Sequence, residues 1–315
     1  QNVRLASRHN VVWGGGFRSM RDRMSTGFPG FVDVLPLQRR DEIVTYFAQD
    51  TVALVPERLN LTAGVKYERT DYADSEWLPN VRLAYMPSPH QTWWAAASEA
   101  TRVPSRLESD LTFFGSIRPG DTFGSEHVRA YELGHRRLVS SQFWYDVAVF
   151  HNDYDDLRTT EVATVANLMR GNTRGVEVAA RWEPATNWRI DAAYTWLDMN
   201  LSLDPTSVSN PGQLAFTEGL VSENQLSVRT AVDLPHDVTI DATVGYVDEL
   251  ESLGFPAYTQ LDLTFGWRAT ESFEISATGR NLLDSHQPEQ DFAFSATGMP
   301  TENERSLYAR ATWRF

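Results

Sequence analysis

The chain has 315 residues, 42% of them apolar and 12% aromatic, with no cysteine and a formal net charge of -14. Its longest apolar run, Trp93 to Ala97, falls far short of the roughly 20 residues of a membrane helix, so helical spans are excluded. The acidic balance, with no basic stripe to offset it, excludes nucleic acid as a partner, and the missing cysteines exclude disulfide scaffolds and thiolate metal sites.

Gln1 to Ala6 reads as the stub of a descending strand, turned through Ser7-Arg8-His9, with residues 1 to 8 as a simple tail the other reading. The opening Gln-Asn-Val-Arg-Leu-Ala lacks the basic start and apolar core of a secretory signal, so a signal is expected to have been processed off or to lie upstream of Gln1. From there period-two alternation predicts strands at 9 to 21, 41 to 54, 59 to 71, 78 to 86, 91 to 101, 127 to 138, 142 to 152, 172 to 182, 188 to 197, 224 to 234, 238 to 248, 257 to 268, 273 to 281 and 306 to 315. In the clearest case Phe273, Ile275, Ala277 and Gly279 interleave with Glu274, Ser276, Thr278 and Arg280, which gives one apolar face and one wet face.

These segments exceed the five or six residues usual in a soluble sandwich and match the length of a tilted strand that crosses a bilayer. Tight turns such as Pro87-Ser88-Pro89 and Pro235-His236-Asp237 alternate with long polar loops such as 102 to 126, 198 to 223 and 282 to 305. In outer-membrane barrels the short turns are periplasmic and the long loops extracellular. An open sheet in hydrocarbon would leave edge N–H and C=O groups unpaired, so the expected fold is an all-β, transmembrane, antiparallel up-and-down β-barrel with about fourteen strands present. Leu307, Ala309, Ala311, Trp313 and Phe315 then face lipid, Arg310 and Arg314 face the lumen, and Trp196, Trp267, Trp313 and Phe315 are interface anchors. The lumen charges include Glu68, Arg82, Glu132, Glu177 and Arg181.

Other motifs carry little chemistry. Gly-x-Ser-x-Gly is absent, and His135, His151 and Asp146 read as satisfied strand-borne polar groups, so no catalytic residue and no enzymatic function is assigned. Asn152, Asp153, Asp155 and Asp156 are oxygen donors in an expected outer loop, but they lack the spacing of a calcium loop and read as solvated; no metal or cofactor is assigned. Gly14-Gly15-Gly16 lacks the lysine of a phosphate loop and reads as strand curvature or a bulge. Arg102 and Arg106 with Phe113 and Phe114 flank the entrance to the longest loops and are the candidate ligand contacts; lipopolysaccharide phosphates or neighbouring acids would equally occupy those arginines.

Several segments together resemble a known family. They are Tyr46-Phe47-Ala48-Gln49-Asp50 before Leu61 to Glu68, Leu78-Pro79-Asn80-Val81-Arg82 with the Thr92 to Ala96 hairpin partner, Thr101-Arg102-Val103-Pro104-Ser105, Arg174-Gly175-Val176-Glu177-Val178, Gly279-Arg280-Asn281-Leu282-Leu283-Asp284, and the terminal Arg310 to Phe315. In this order they resemble the barrel of TonB-dependent outer-membrane receptors, energised importers of siderophores, cobalamin and similar nutrients. The resemblance spans 1 to 315 as one barrel domain, with no counterpart of the family's plug. It implies a ferric siderophore or similar ligand, outer-membrane lipid and lipopolysaccharide as surroundings, barrel-assembly machinery reading Phe315, and TonB only if a plug lies upstream. Such transporters have 22 strands, so the preferred expectation is part of a larger barrel; a plugless diffusion pore is the alternative, and a surface-binding barrel used by phage or partner proteins a third.

Overall fold

The computed structural model describes residues 2–5, 8–24, 32–113, 123–161, 164–290 and 301–315. In chain order the elements are β1 (Asn2–Leu5), β2 (His9–Arg23), β3 (Val32–Val34), β4 (Gln38–Val55), β5 (Leu59–Arg69), β6 (Glu76–Ser88), β7 (Gln91–Arg102), α1 (Arg106–Asp110), β8 (Leu111–Phe113) and β9 (Glu126–Ser140). They continue as β10 (Phe143–Thr160), β11 (Val165–Ala185), β12 (Trp188–Leu203), α2 (Gly212–Glu218), β13 (Asn224–Leu234), β14 (Val238–Val247), a 3-10 turn at Glu251–Leu253, β15 (Tyr258–Thr270), β16 (Phe273–Arg280), β17 (His286–Gln290), β18 (Thr301–Glu304) and β19 (Ser306–Trp313). Fifteen strands form one sheet in which neighbours in sequence are neighbours in space, from β1 through β16 to β19, with β3 and β8 paired apart and β17 and β18 paired apart. This is an up-and-down meander, and no helix is long and apolar enough to cross a membrane.

The contacts divide the chain into two units, 1–134 with 149–174 and 199–215, and 135–148 with 175–198 and 216–315. Within the second, the register carries one mainly apolar face across six strands. Ile190 lies opposite Thr230, Thr230 opposite Ala242, Ala242 opposite Leu263, Leu263 opposite Gly279 and Gly279 opposite Leu307. One step away run Val232, Ile240, Phe265, Ala277 and Ala309, and the next row ends Trp267, Ile275 and Ala311. The other face carries Asp191, Arg229, Thr243 and Asp262, then Ser276 and Arg310. The apolar face is bare: Leu307 is 77% and Trp313 73% exposed to whatever surrounds it. Aromatic residues bound it. Trp182 and Trp188 lie 6.4 Å apart near the short turns, as do Phe273 and Trp313, while Tyr194 and Trp196 sit toward the long connections. Trp188 to Trp196 spans roughly 26 Å of strand at about 3.3 Å per residue, or about 20 Å along a membrane normal at the usual tilt.

The first unit repeats the pattern. Val65, Ala63 and Leu61 on β5 face Pro79, Val81 and Leu83 on β6, while Glu68, Lys66, Gly64 and Thr62 face Glu76, Leu78, Asn80 and Arg82 on the opposite side. Of the two readings of Gly14-Gly15-Gly16, curvature or a bulge, the bulge is absent, because β2 and β4 pair without a register shift from His9 to Arg23. The three glycines make room instead: a Cβ at Gly14 would meet the Phe47 ring at 2.9 Å, one at Gly15 the Tyr46 ring at 2.9 Å, and one at Gly16 the Thr45 hydroxyl at 2.9 Å. The three-residue turn between the paired Leu234 and Val238 has left-handed backbone at His236 and Asp237.

Two expectations need correction. The segment 153 to 171, expected as an outer loop, is the upper part of β10 and β11, whose connection is only 161–164, so Asp153, Asp155 and Asp156 lie on a strand. Tight and long connections do not alternate strictly either, since 70–75 and 161–164 are both brief. The same register that aligns Leu263 with its apolar neighbours sets the cost of a charge there. Leu263→Arg is expected to lower unfolding free energy by about 2–4 kcal/mol in urea-dependent refolding into vesicles, and Ser227→Arg on the polar face by less than about 1 kcal/mol.

Candidate functional site

The long-connection ends of the first unit carry an ion-pair network. Arg39, near the start of β4, donates from Nε to Asp41 at 2.8 Å and from Nη1 to Asp110 at 2.9 Å, and its guanidinium lies 4.1 Å from the centre of the Tyr72 ring. The Tyr72 hydroxyl donates to Asp41 at 3.0 Å, and burial together with this bond pushes the phenol above its ordinary value. Arg106, 7% exposed, pairs with Asp22 and Asp110 and donates to the carbonyl of Pro36. The Leu35 N–H donates to the Asp110 carbonyl at 3.0 Å, and Val34 pairs with Leu111. The segments around Pro36, Asp71 and Asp110 are thus held together through side chains far apart in sequence.

A second group stands beside it. Ser105 caps α1: its hydroxyl accepts from the Glu108 N–H at 3.3 Å while the Glu108 carboxylate accepts from the Ser105 N–H at 2.8 Å, a reciprocal capping box. The same carboxylate accepts two bonds from Arg102, at 3.0 and 2.9 Å, and one from Arg158 at 3.0 Å. Arg102 Nε also donates to Glu126 at 2.5 Å. Burial alone would raise the Glu108 carboxyl, but the Arg102 and Ser105 bonds outweigh it and hold its pKa at about 2. Farther along, His127 lies between Asp156 at 3.2 Å and Glu76 at 3.4 Å, and Arg129 donates to Asp155 at 2.8 Å.

Of the expected ligand contacts, Arg102 and Arg106 are therefore both committed to carboxylates, the first half-exposed and the second buried. Phe113 ends β8, and Phe114 lies outside the described residues. Trp267 lies opposite Val238 and Ile275, Trp313 opposite Phe273, and Trp196 opposite Asn224, while Phe315 follows β19 fully exposed. The polar groups considered for catalysis are dispersed: Asp146 accepts from Arg136 at 2.7 Å, His151 meets Asp153 at 3.0 Å, and the His135 ring faces Tyr145. On the polar face Glu68 pairs with Lys66, Arg181 with Asp191, and Arg82 stacks on Trp94. Among the described residues no group of three or more His, Asp or Glu is arranged to hold a metal ion. Arg39, Asp41, Tyr72 and Asp110 were missed by sequence reasoning, since their partners lie up to 71 residues apart; the Ser105-x-x-Glu108 capping signature was readable.

An alternating sheet with a bare apolar face and polar, fastened long connections agrees with what the comparisons find. The family model described as "TonB dependent receptor-like, beta-barrel" matches residues 1–282. The chain belongs to that family. Its apolar face is accordingly the lipid-facing surface of an outer-membrane β-barrel, its polar face the lumen side, and its long connections extracellular. The family's members are transport receptors rather than enzymes. Among solved structures, a variant of the ferric enterobactin receptor PfeA from Pseudomonas aeruginosa matches with TM-score 0.72 at 14% identity, over 100% of this chain and 52% of that one. The ferric yersiniabactin uptake receptor FyuA from Yersinia pestis matches with TM-score 0.71 at 17% identity, over 99% and 52%. The pesticin receptor of Yersinia pestis is 24% identical over 176 residues, 51% of this chain and 25% of that protein. The chain thus spans about half the length of the structures it resembles and matches a quarter of that curated relative.

Two outcomes follow from the network. Arg106→Met, which strands Asp22, Asp110 and the Pro36 carbonyl, is expected to speed backbone hydrogen exchange in 32–37 and 106–113 at least tenfold while leaving β13 to β16 unchanged. The depressed Glu108 carboxyl contributes stability that is complete above its ordinary value near 4.5 and is lost as pH falls from there toward about 2. Limited proteolysis near Ser105 should therefore accelerate over that window, and Glu108→Gln should be cleaved faster at pH 7, with a weaker further response to acid.

Proposed function

We propose that this chain is the barrel portion of a receptor that imports a scarce nutrient, a ferric siderophore, across the outer membrane. The observation that carries the reading is the joining of a membrane-facing sheet to extracellular segments fastened by carboxylate–guanidinium pairs, an ordered surface that a passive pore does not need. Receptors named for ferric siderophores among the structures it resembles support the same reading. Trp196, Trp267, Trp313 and Phe315 seat the barrel at the two interfaces, and the terminal Phe315 is the signal read by assembly machinery. Arg102, half-exposed, is better placed than Arg106 to meet a ligand, with Phe113 and Phe114 on the segment that follows; Arg106 serves the framework. TonB is a partner only if a plug lies upstream.

The second reading, a plugless diffusion pore, draws on the lumen-side charges Glu68, Arg82, Glu132, Glu177 and Arg181, which would bias the passage of solutes. Iron uptake and conductance separate the two. Cells expressing the full-length native protein are expected to accumulate labelled ferric siderophore in a manner abolished by a protonophore, and the purified protein to leave a planar bilayer nearly non-conducting. Steady open-channel conductance without energy-dependent uptake would establish the pore instead.

A further inference from the structure

The net charge of this chain is distributed unevenly between its strands and their long connections. The seven extracellular connections (24–37, 70–75, 103–125, 161–164, 204–223, 248–257 and 281–305) hold eighteen acidic and three basic residues, a net -15. Everything else holds twenty-four acidic and twenty-five basic residues. The strands and short turns are therefore nearly neutral, and the extracellular end carries the whole imbalance. The bias appears in each unit separately: the connections of the first sum to -6 and those of the second to -9.

A second, geometric observation acts in the same direction. Five of the guanidiniums on the extracellular ends of the first unit are already spent on carboxylates, while Arg21, Arg23 and Arg69 are exposed and pair with no carboxylate among the described residues. Arg39 is held by Asp41 and Asp110, Arg102 by Glu108 and Glu126, Arg106 by Asp22 and Asp110, Arg129 by Asp155, and Arg158 by Glu108. A polyanion reaching any of these five would have to displace a carboxylate to gain that cation. In the second unit Glu249 and Glu251 are exposed and, among the described residues, pair with no cation. A surface of one sign raises the local concentration of oppositely charged solutes and speeds their association, and it does the reverse to like-charged ones.

We propose that the extracellular end selects its ligand by charge, favouring a chelate of net positive charge and disfavouring polyanionic chelates. The inference rests on the import reading above and narrows its substrate class. It concerns the field that the extracellular connections of each unit set up and requires no coordination site.

The test uses the full-length native protein in detergent and two probes: a ferric trihydroxamate with a free ammonium group, net charge +1, and a ferric tris-catecholate, net charge -3. Binding is measured at ionic strengths of about 0.01 and 1 M, where the screening length falls from roughly 30 to 3 Å. The cationic chelate is expected to bind at least about tenfold more tightly at low salt and to lose most of that advantage at high salt. Glu249→Gln with Glu251→Gln should slow its association about twofold to threefold at low salt only. Tris-catecholate binding that is tighter at low salt and weakens as salt is added would overturn the inference while leaving the import reading intact, and so would affinities indifferent to salt. Binding of neither chelate would remove the import reading and this inference with it.

Discussion

Every backbone N–H and C=O at bilayer depth must find its partner in another strand, because hydrocarbon offers none. That constraint sets most of what is seen. It demands ladders without interruption, and β13, β14 and β15 pair residue for residue from Leu234–Val238 to Trp267 with no shift. It also fixes which side chains meet lipid, since a shift by one residue would turn Leu226, Ile240, Leu263 and Phe265 inward and Arg229, Asp241 and Asp262 outward. The register is therefore specified twice, by the ladder and by the cost of a charge in lipid.

The alternation is why so much of the fold was legible in the sequence. Wherever a strand has lipid on one side, every second residue must be apolar, and the segments at 188 to 197, 224 to 234, 238 to 248, 257 to 268 and 273 to 281 declare themselves. Above the bilayer the requirement lapses. The upper half of β10 is mostly polar on both sides and that of β11 mixes Val165, Ala166, Leu168 and Met169 with Asn167 and Arg170 without alternation, so period two no longer distinguishes strand from loop, and residues 153 to 171 read as a loop. What holds them extended is cross-strand pairing that composition does not display: Arg129 with Asp155, Asn152 with Thr173, His127 with Asp156.

The extracellular network was legible only in its local part. Ser105 and Glu108 stand three apart and announce a helix cap, but nothing near Arg39 indicates that its partner is Asp110, or near Arg106 that it will pair with Asp22. Arg106 was singled out as a ligand contact because it flanks the entrance to a long loop together with Phe113 and Phe114, with neighbouring acids as the other reading. Once the chain returns to place Asp22 and the Pro36 carbonyl beside it, the guanidinium is buried, and buried guanidiniums persist only where each donor has an acceptor.

The barrel and its extracellular segments are therefore stabilised by different physics, and that separation has a functional side. The sheet is held by backbone ladders and by the mismatch between apolar side chains and water, neither of which responds strongly to salt or to pH in the physiological range. The extracellular segments of the first unit are held by paired charges close to solvent, whose strength depends on screening and on carboxylate protonation. A surface that must stay ordered to recognise a solute, yet rearrange when the solute arrives, gains from interactions that can be exchanged one carboxylate at a time. The acidic excess suits that arrangement, because spare carboxylates such as Glu249 and Glu251 can meet an incoming cation without first breaking a pair that holds the segments in place.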